Sequence, residues 1–302
     1  ADDDRALAPR PTQVVLRNDV SASDTGFAVD ALFGTTVGAE LPSQGYLRIG
    51  KEVMYMHTRN GGAVYVDRAQ FYTEAEDHEA GDTVQLCLHY EQVPVQDITY
   101  DLLVNYGGVP PQYVDKNQWD QEAGVWQSGY NLTTLITEPI GVNQLITELT
   151  EQCLFFIWWD EEEQTIPYTV LRPPDDEPVS LNDSEHLVKG SVVRAHHPSE
   201  RISQVIIYYN QMNPVEKLDE TSNYTRVRIR RDVEAESDDQ YGEPRIRSIY
   251  SRWYDHRNDG QTLSTGARLL NAYRDNPVIV EFSLDAKDRE AVKVGDTVDM
   301  VS

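Results

Sequence analysis

The stretch from Gly141 to Pro174, GVNQLITELTEQCLFFIWWDEEEQTIPYTVLRPP, decides how the rest of the chain is read. Val142, Leu145, Ile146, Leu149 and Cys153 recur at helical spacing and form one apolar stripe, which predicts a short helix. Glu138-Pro139 and Gly141 mark its start, because proline is tolerated only near a helix beginning. The period then changes. Leu154 to Trp159 is a solid apolar and aromatic run, too short for another helix and rich in strand-forming residues. It predicts a core strand carrying Phe155, Phe156, Trp158 and Trp159. Asp160-Glu161-Glu162-Glu163 predicts a turn in water. Thr165–Leu171 predicts the returning strand, stopped by Arg172-Pro173-Pro174, with Pro167 near its start, where a missing donor does least harm. A helix followed by an aromatic hairpin is thus the best core candidate.

Outward from it, the 302 residues suffice for two or three domains with real cores. Hydrophobic residues make up 39% and there are 17 Tyr, which places the chain among globular β-rich proteins rather than disordered ones. No apolar run approaches the roughly 20 residues of a membrane helix, and no signal-peptide pattern opens the chain. The sequence begins at Ala1 rather than Met and stops within the strand-like Val294–Val301, which reads as part of a longer parent chain.

Charge is the loudest bulk signal: 51 acidic against 26 basic residues, net −25. Only six of the basic residues are Lys (51, 116, 189, 217, 287, 293) and the other twenty are Arg. Such a surface repels nucleic acid and anionic membranes. It suits either a solubility adaptation, as in a salty environment, or an acidic lumen past which DNA slides. Cys87 and Cys153 sit in apolar contexts without partner spacing, which predicts core filling rather than a disulfide or a zinc site.

In chain order, residues 1–11 read as an arm. Residues 12–90 read as a small all-β module with strands at Thr12–Arg17, 45–50, Glu52–His57 and 63–68, a hairpin turn at Asn60-Gly61-Gly62, and a closing strand over 80–86. Residues 91–174 read as an α+β domain. Its first helix runs from Pro94 to Tyr106 with Val95, Ile98, Leu102 and Leu103 on one face, and a less regular helix falls within 112–130. Residues 175–302 read as a second β-rich domain that continues beyond 302. It contains an acidic linker at 175–178, a helical turn at Leu181–Leu187, strands at Val192–His196, Ser203–Asn210, Thr225–Ile229, 245–250 and Pro277–Leu284, a helix at Gly266–Arg274, and two turn-linked β segments in 291–301. On Thr225–Ile229, Val227 and Ile229 face one way and Arg226, Arg228 and Arg230 the other. Asp232–Pro244 reads as an acidic, mobile loop. The recurrence of Gly-Asp-Thr-Val at 81–84 and 295–298 is a turn-into-strand signal rather than a repeat.

Motifs that carry chemistry are sparse. Asp160–Glu163 contains four carboxylates but reads as a solvated turn, since acid/base work needs two carboxylates from different elements facing one gap. His196-His197 lacks metal-ligand spacing. Asn131, Asn182 and Asn223 open glycosylation tripeptides that arise easily by chance. No nucleophile, phosphate-loop or dinucleotide signature is present. No catalytic, cofactor-binding or metal-binding residue is therefore assigned. The Arg226–Arg231 run suits either an acidic partner or pairing within the chain with Asp232–Asp239.

Three segments resemble the tail-tip and baseplate central hub proteins of tailed phages and gene transfer agents, a family related to the lambda-type tail-tip attachment protein. The first is the organising stretch, from Glu138-Pro139 through Trp158-Trp159-Asp160-Glu161 to Leu171-Arg172-Pro173. The second is Gly45-Tyr46-Leu47-Arg48-Ile49-Gly50-Lys51-Glu52-Val53 with Asp67-Arg68-Ala69 and His78–Val84. It is similar to a small β module of tail proteins, which usually carry Arg-Gly and Gly-Thr where this chain has Arg68-Ala69 and Tyr72-Thr73. The third is Ser203–Tyr209 with 273–277 and Val294-Gly295-Asp296. The resemblance implies a multi-domain, β-rich α+β hub of small barrels or sandwiches with a few short helices. It implies a non-enzymatic homotrimer that continues the tail tube in a virion, contacts the distal tail protein, other tail-tip proteins and the tape-measure protein, and lets DNA through without specific binding or membrane insertion. Against it stand a receptor- or carbohydrate-binding β module, with Trp119, Trp126 and the tyrosines as platform, and a tail-associated glycan or peptidoglycan hydrolase.

Overall fold

The computed structural model describes residues 6–172, 178–182, 184–237, 240–275, 277–285, 287 and 292–301. The first five residues of the expected arm and residues 175–177 of the expected linker lie outside these. The chain is β-rich, with short helices set among several small sheets.

After β1 (Leu7–Ala8), the amino-terminal module contains β2 (Val14–Leu16), β3 (Gly26–Ala31), the single turn α1 (Val37–Glu40), β4 (Gly45–Ile49), β5 (Glu52–Asn60), β6 (Ala63–Asp67) and β7 (Gln85–Leu86). They pair in the order β2-β3-β6-β5-β4-β7. The segment leading into β7 also bonds to β2, through Leu16 N–Asp82 O and Val84 N–Val14 O, both 2.9 Å, so the sheet nearly closes into a barrel. Strand alternation turns Leu47 and Ile49, Met54 and Met56, and Val64 and Val66 inward together. Asn60 pairs with Ala63 across Gly61-Gly62, as the sequence predicts.

The next segment runs through β8 (Leu88–Pro94), α2 (Val95–Asp101), a π turn (Leu102–Tyr106), α3 (Lys116–Trp126), β9 (Asn131–Ile136), β10 (Ile140–Gly141), α4 (Val142–Cys153), β11 (Phe155–Ile157) and β12 (Tyr168–Val170). In α4, Val142, Leu145, Leu149 and Cys153 are buried, matching the predicted stripe. The helix stops because Leu154 turns left-handed at φ 56°. β11 and β12 pair antiparallel, Phe155 opposite Val170, and Phe155 stacks on Tyr168 at 4.5 Å. The aromatic run is less buried than expected. Only Phe155 is fully inside, while Phe156 and Trp159 are about half exposed. A strand sends alternate side chains to opposite faces, and this short hairpin is partly covered on each: Trp158 lies against Gly295, and Trp159 meets Tyr113 edge-on at 5.2 Å.

The remainder contains β13 (Val179–Asn182), β14 (Val193–His196), β15 (Gln204–Gln211), β16 (Tyr224–Arg231), β17 (Ile246–Tyr250), α5 (Asp259–Tyr273), β18 (Val278–Glu281) and β19 (Val298–Val301). β13 takes only the first two residues of the helical turn expected at Leu181–Leu187, because that backbone pairs in parallel with β19; the amides of Glu185 and His186 then bond to the Asn182 carbonyl, so a single turn follows the strand. α5 starts seven residues earlier than expected; its first turns are polar and carry no apolar stripe to read. One apolar core runs across residue 174. Leu145, Leu149 and Phe155 share it with Val205, Ile207, Tyr209, Trp253, Tyr254 and Leu269. Hydrogen bonds tie the same seam: Tyr254 Oη and Thr265 Oγ1 both donate to the Gln152 carbonyl, at 2.7 and 2.9 Å.

Candidate functional site

β16, β15 and β17 form a three-stranded sheet in that order, and its two faces have opposite fates. On the inner face Val205, Ile207 and Tyr209 are buried against α5 and the core. The registers Ile206–Ile229 and Tyr208–Val227–Tyr250 put these residues, with Ile246, on the other face. There Val227, Ile229 and Ile246 are each half exposed or more, and Tyr208 stacks on Tyr250 at 5.1 Å.

The predicted alternation of β16 is thus present, but its solvent-facing side is the apolar one. Arg230 runs its aliphatic stem over Gly266, where a Cβ would come within 2.9 Å of Arg230 Cγ. Arg226 pairs with Asp259 at 2.9 Å. Long arginine stems can cover helix surface, and the heads of Arg226 and Arg228 reach Asp259 on the α5 side of the strand. The Tyr209 hydroxyl also donates to Asp259, and these contacts hold that carboxyl below the ordinary range. Farther along, Arg231 pairs with Glu236, and Arg274 with Asp232 and Glu234 at 3.0 and 2.9 Å. Among the described residues the arginine run thus meets the acidic loop through Arg231 and Glu236, while Arg226 and Arg228 turn to Asp259 and the loop's Asp232 and Glu234 to Arg274.

Beside this face opens a cleft of about 640 Å³, reached past Ile246 and Phe156. Leu154, Phe155, Leu171 and Leu269 give it apolar walls, and Arg201, Arg245 and Arg247 line it together with Glu151 and Glu200. Arg247 reaches Glu151 at 3.5 Å, and Arg245 lies 2.5 Å from Glu243. Arg201 is almost wholly buried, with its guanidinium 4.1 Å over the Tyr241 ring. Its Nη2 donates to the Glu243 carbonyl at 3.1 Å, whereas the buried Nη1 has no acceptor among the described residues.

At the far end of the hairpin, the Asp160 carboxylate accepts from the amides of Glu162 and Glu163 at 2.9 and 3.1 Å and closes the predicted turn. Glu161, Glu162 and Glu163 point into solvent, with Lys293 at 3.2 Å from Glu162. Among the described residues no group of three or more such side chains gathers there to hold a metal ion. Asp97 and Asp120 do converge from two helices, but both hold Lys116 between them.

A buried ionic cluster in the β module escapes the reading of motifs. Glu52 is fully inside, accepting from Arg68, His78 and the amides of Ala69 and Glu76. Burial alone would raise this carboxyl, but those hydrogen bonds together hold it below its usual value. Its only sequence trace is a glutamate in register with the inward Met54 and Met56.

The remaining candidates resolve individually. Cys87 and Cys153 are buried free thiols, each pushed by burial up to about 12. His196 is exposed on β14, and among the described residues no group of three or more His, Cys, Asp or Glu side chains is placed to hold a metal ion. Asn223 is buried and donates to the Asn213 carbonyl, which removes it as a glycan acceptor. Trp119 is fully buried, its Nε1 donating to the Ile166 carbonyl at 2.8 Å. Trp126 is half-buried beneath Arg172, 5.8 Å from the ring. The tryptophan platform that a carbohydrate-binding reading needs is not formed. No helix among the described residues is long and apolar enough to cross a membrane.

No protein-family model matches the sequence, and no curated protein matches it. Among solved structures, the chain is similar to a 43 kDa tail protein of prophage MuSo2 from Shewanella oneidensis. The TM-score is 0.31 at 10% identity, over 89% of this chain and 76% of that one. A likeness this distant carries no argument, and the reading that follows rests on the residues.

Proposed function

We propose that the chain is a structural component of a phage-type tail, and specifically a homotrimeric hub that continues the tail tube at the tip of a virion. The observation that carries an assembly role is the outer face of the β16-β15-β17 sheet. Ile206, Tyr208, Val227, Ile229, Ile246 and Tyr250 present an apolar surface across three strands. Contiguous apolar patches of this kind mark contact surfaces, since exposing them costs free energy that docking recovers. The three segments that resemble tail hubs supply the kind of assembly: β-rich, non-enzymatic, with the distal tail protein, other tip proteins and the tape-measure protein as neighbours.

Net charge fits this role in one further way. At −25 a subunit repels its own copies until salt screens the charge, and an acidic channel wall lets DNA pass without adhering. The test is the mass of the purified chain in solution at two salt concentrations. A trimer favoured by higher salt supports the hub; a monomer at both overturns it. Mapped on the trimer, negative potential concentrated on the channel wall supports the lumen role. A neutral wall leaves the acidity as a solubility adaptation.

A further inference from the structure

We infer that the arginine-lined cleft receives the acidic hairpin turn of a second copy of this chain, making a head-to-tail contact that repeats around the ring. This rests on the hub reading and names the contact that would close it. The cleft offers apolar walls and three arginines against two glutamates, Glu151 and Glu200, in a chain that carries about two acidic residues for each basic one. One guanidinium nitrogen, Arg201 Nη1, is buried there without an acceptor among the described residues. A buried donor left unpaired is costly, and a carboxylate seated in the cleft relieves that cost when the Arg201 side chain turns toward it.

The hairpin turn has the complementary chemistry. Trp159 is half exposed, and it leads directly into Asp160 and the three outward glutamates. Both features belong to the same hairpin but to opposite ends of it. Phe155 and Phe156 border the cleft, and the turn lies roughly 15 Å farther at the rise of a strand. A rigid two-stranded hairpin does not fold back on its own base, so turn and cleft meet only between copies. A contact between two different patches propagates head to tail and closes into a ring where the rotation allows. The cleft is continuous with the exposed sheet face through Ile246, so a copy seated in it also covers the apolar strands. The ion pairs that Lys293 makes with Glu162 and Glu163 of the turn are solvent-exposed and worth little.

Two variants test this at the salt at which the unaltered chain assembles. One carries Glu161→Lys, Glu162→Lys and Glu163→Lys; the other carries Arg245→Gln and Arg247→Gln, which leaves no charge in the cleft for the lysine turn to meet. Light scattering should find each alone reduced to monomer, with far-ultraviolet circular dichroism unchanged. Mixed in equal amounts they should form a one-to-one dimer, because one intact turn then meets one intact cleft and no further contact is available. A turn variant that assembles as the unaltered chain does overturns the inference while leaving the hub reading standing. So does a mixture that stays monomeric. An unaltered chain that is monomeric at every salt overturns both. The turn variant changes only exposed side chains, so its result is readable even if the cleft variant misfolds.

Discussion

Arg68 and Glu52 meet as a two-pronged pair inside the β module, Nε to Oε1 at 2.7 Å and Nη2 to Oε2 at 2.6 Å, both side chains nearly sealed from water. The same guanidinium donates to the carbonyls of Ser21, Asp24 and Glu76, so it holds two loops onto the barrel. Removing the arginine leaves a buried carboxylate with His78 and two amides as its partners. Arg68→Met should therefore lower stability by about 3–5 kcal/mol, the range for breaking one side of a buried pair. Arg68→Lys should rescue little of it, since an ammonium cannot reproduce the fork or reach all three carbonyls. Urea denaturation of the three proteins decides the matter. A loss below about 1 kcal/mol in Arg68→Met would show the cluster to be dispensable.

The same carboxyl sets an acid limit. Its folded pKa lies below the unfolded one, so its contribution is fully present above the unfolded value, near about 4.3 for a free glutamate. That contribution is lost as pH falls through the folded value. The melting temperature should hold above roughly pH 5 and fall on further acidification. In Glu52→Gln the neutral amide removes this titration, so the protein should start less stable but lose less over the same acid range. Parallel acid slopes in the two proteins would assign the loss to other carboxylates.

The loop that this pair anchors holds Ala69, Phe71 and Tyr72 at φ of 55°, 53° and 57°, the left-handed region. At two of these three positions, 69 and 72, the hub resemblance calls for glycine. A side chain there costs about 1–2 kcal/mol, while glycine adds unfolded-state freedom that offsets part of the gain. Ala69→Gly and Tyr72→Gly should each raise stability modestly, by up to about 1 kcal/mol. Tyr72 is largely exposed, so its removal forfeits little packing. Thermal melts that drop for both variants would mean that the native loop gains more from these side chains than its backbone loses.

Legibility followed local periodicity. The stripe of α4 and the Asn60-Gly61-Gly62 turn are each decided by a few neighbouring residues, and each appears as read. What the sequence hid were relations between elements. The polarity of β16 was legible, yet which face meets α5 depends on Gly266 and Asp259, over thirty residues away. The parallel pairing that makes Val179–Asn182 a strand comes from Val298–Val301 at the far end of the chain. The cleft combines residues from α4, β11, β17 and α5, and none of them forms a motif alone.

Both thiols should be inert in the native protein. Cys87 and Cys153 are buried, and each thiol is pushed up to about 12, so the reactive thiolate is scarce at neutral pH. A disulfide-exchange reagent such as Ellman's should titrate neither thiol before unfolding and both in denaturant. Fast release of one equivalent from the native chain would mean that the core around that cysteine opens readily.

The outer sheet face makes the sharpest separation between folding and assembly. Val227 and Ile229 are about half exposed on an edge strand whose inner arginines already pack on α5. Replacing both by lysine leaves that packing alone, and surface changes of this kind usually stay within about 0.5 kcal/mol each. Two buried charges at a subunit contact are far more expensive, since each must be desolvated without a partner. Val227→Lys with Ile229→Lys should thus keep the monomer's melting temperature within a few degrees while abolishing the trimer in solution. A folded variant that assembles normally would remove this face from the contact. A variant that unfolds would place Val227 and Ile229 within the monomer's own packing, against their observed exposure.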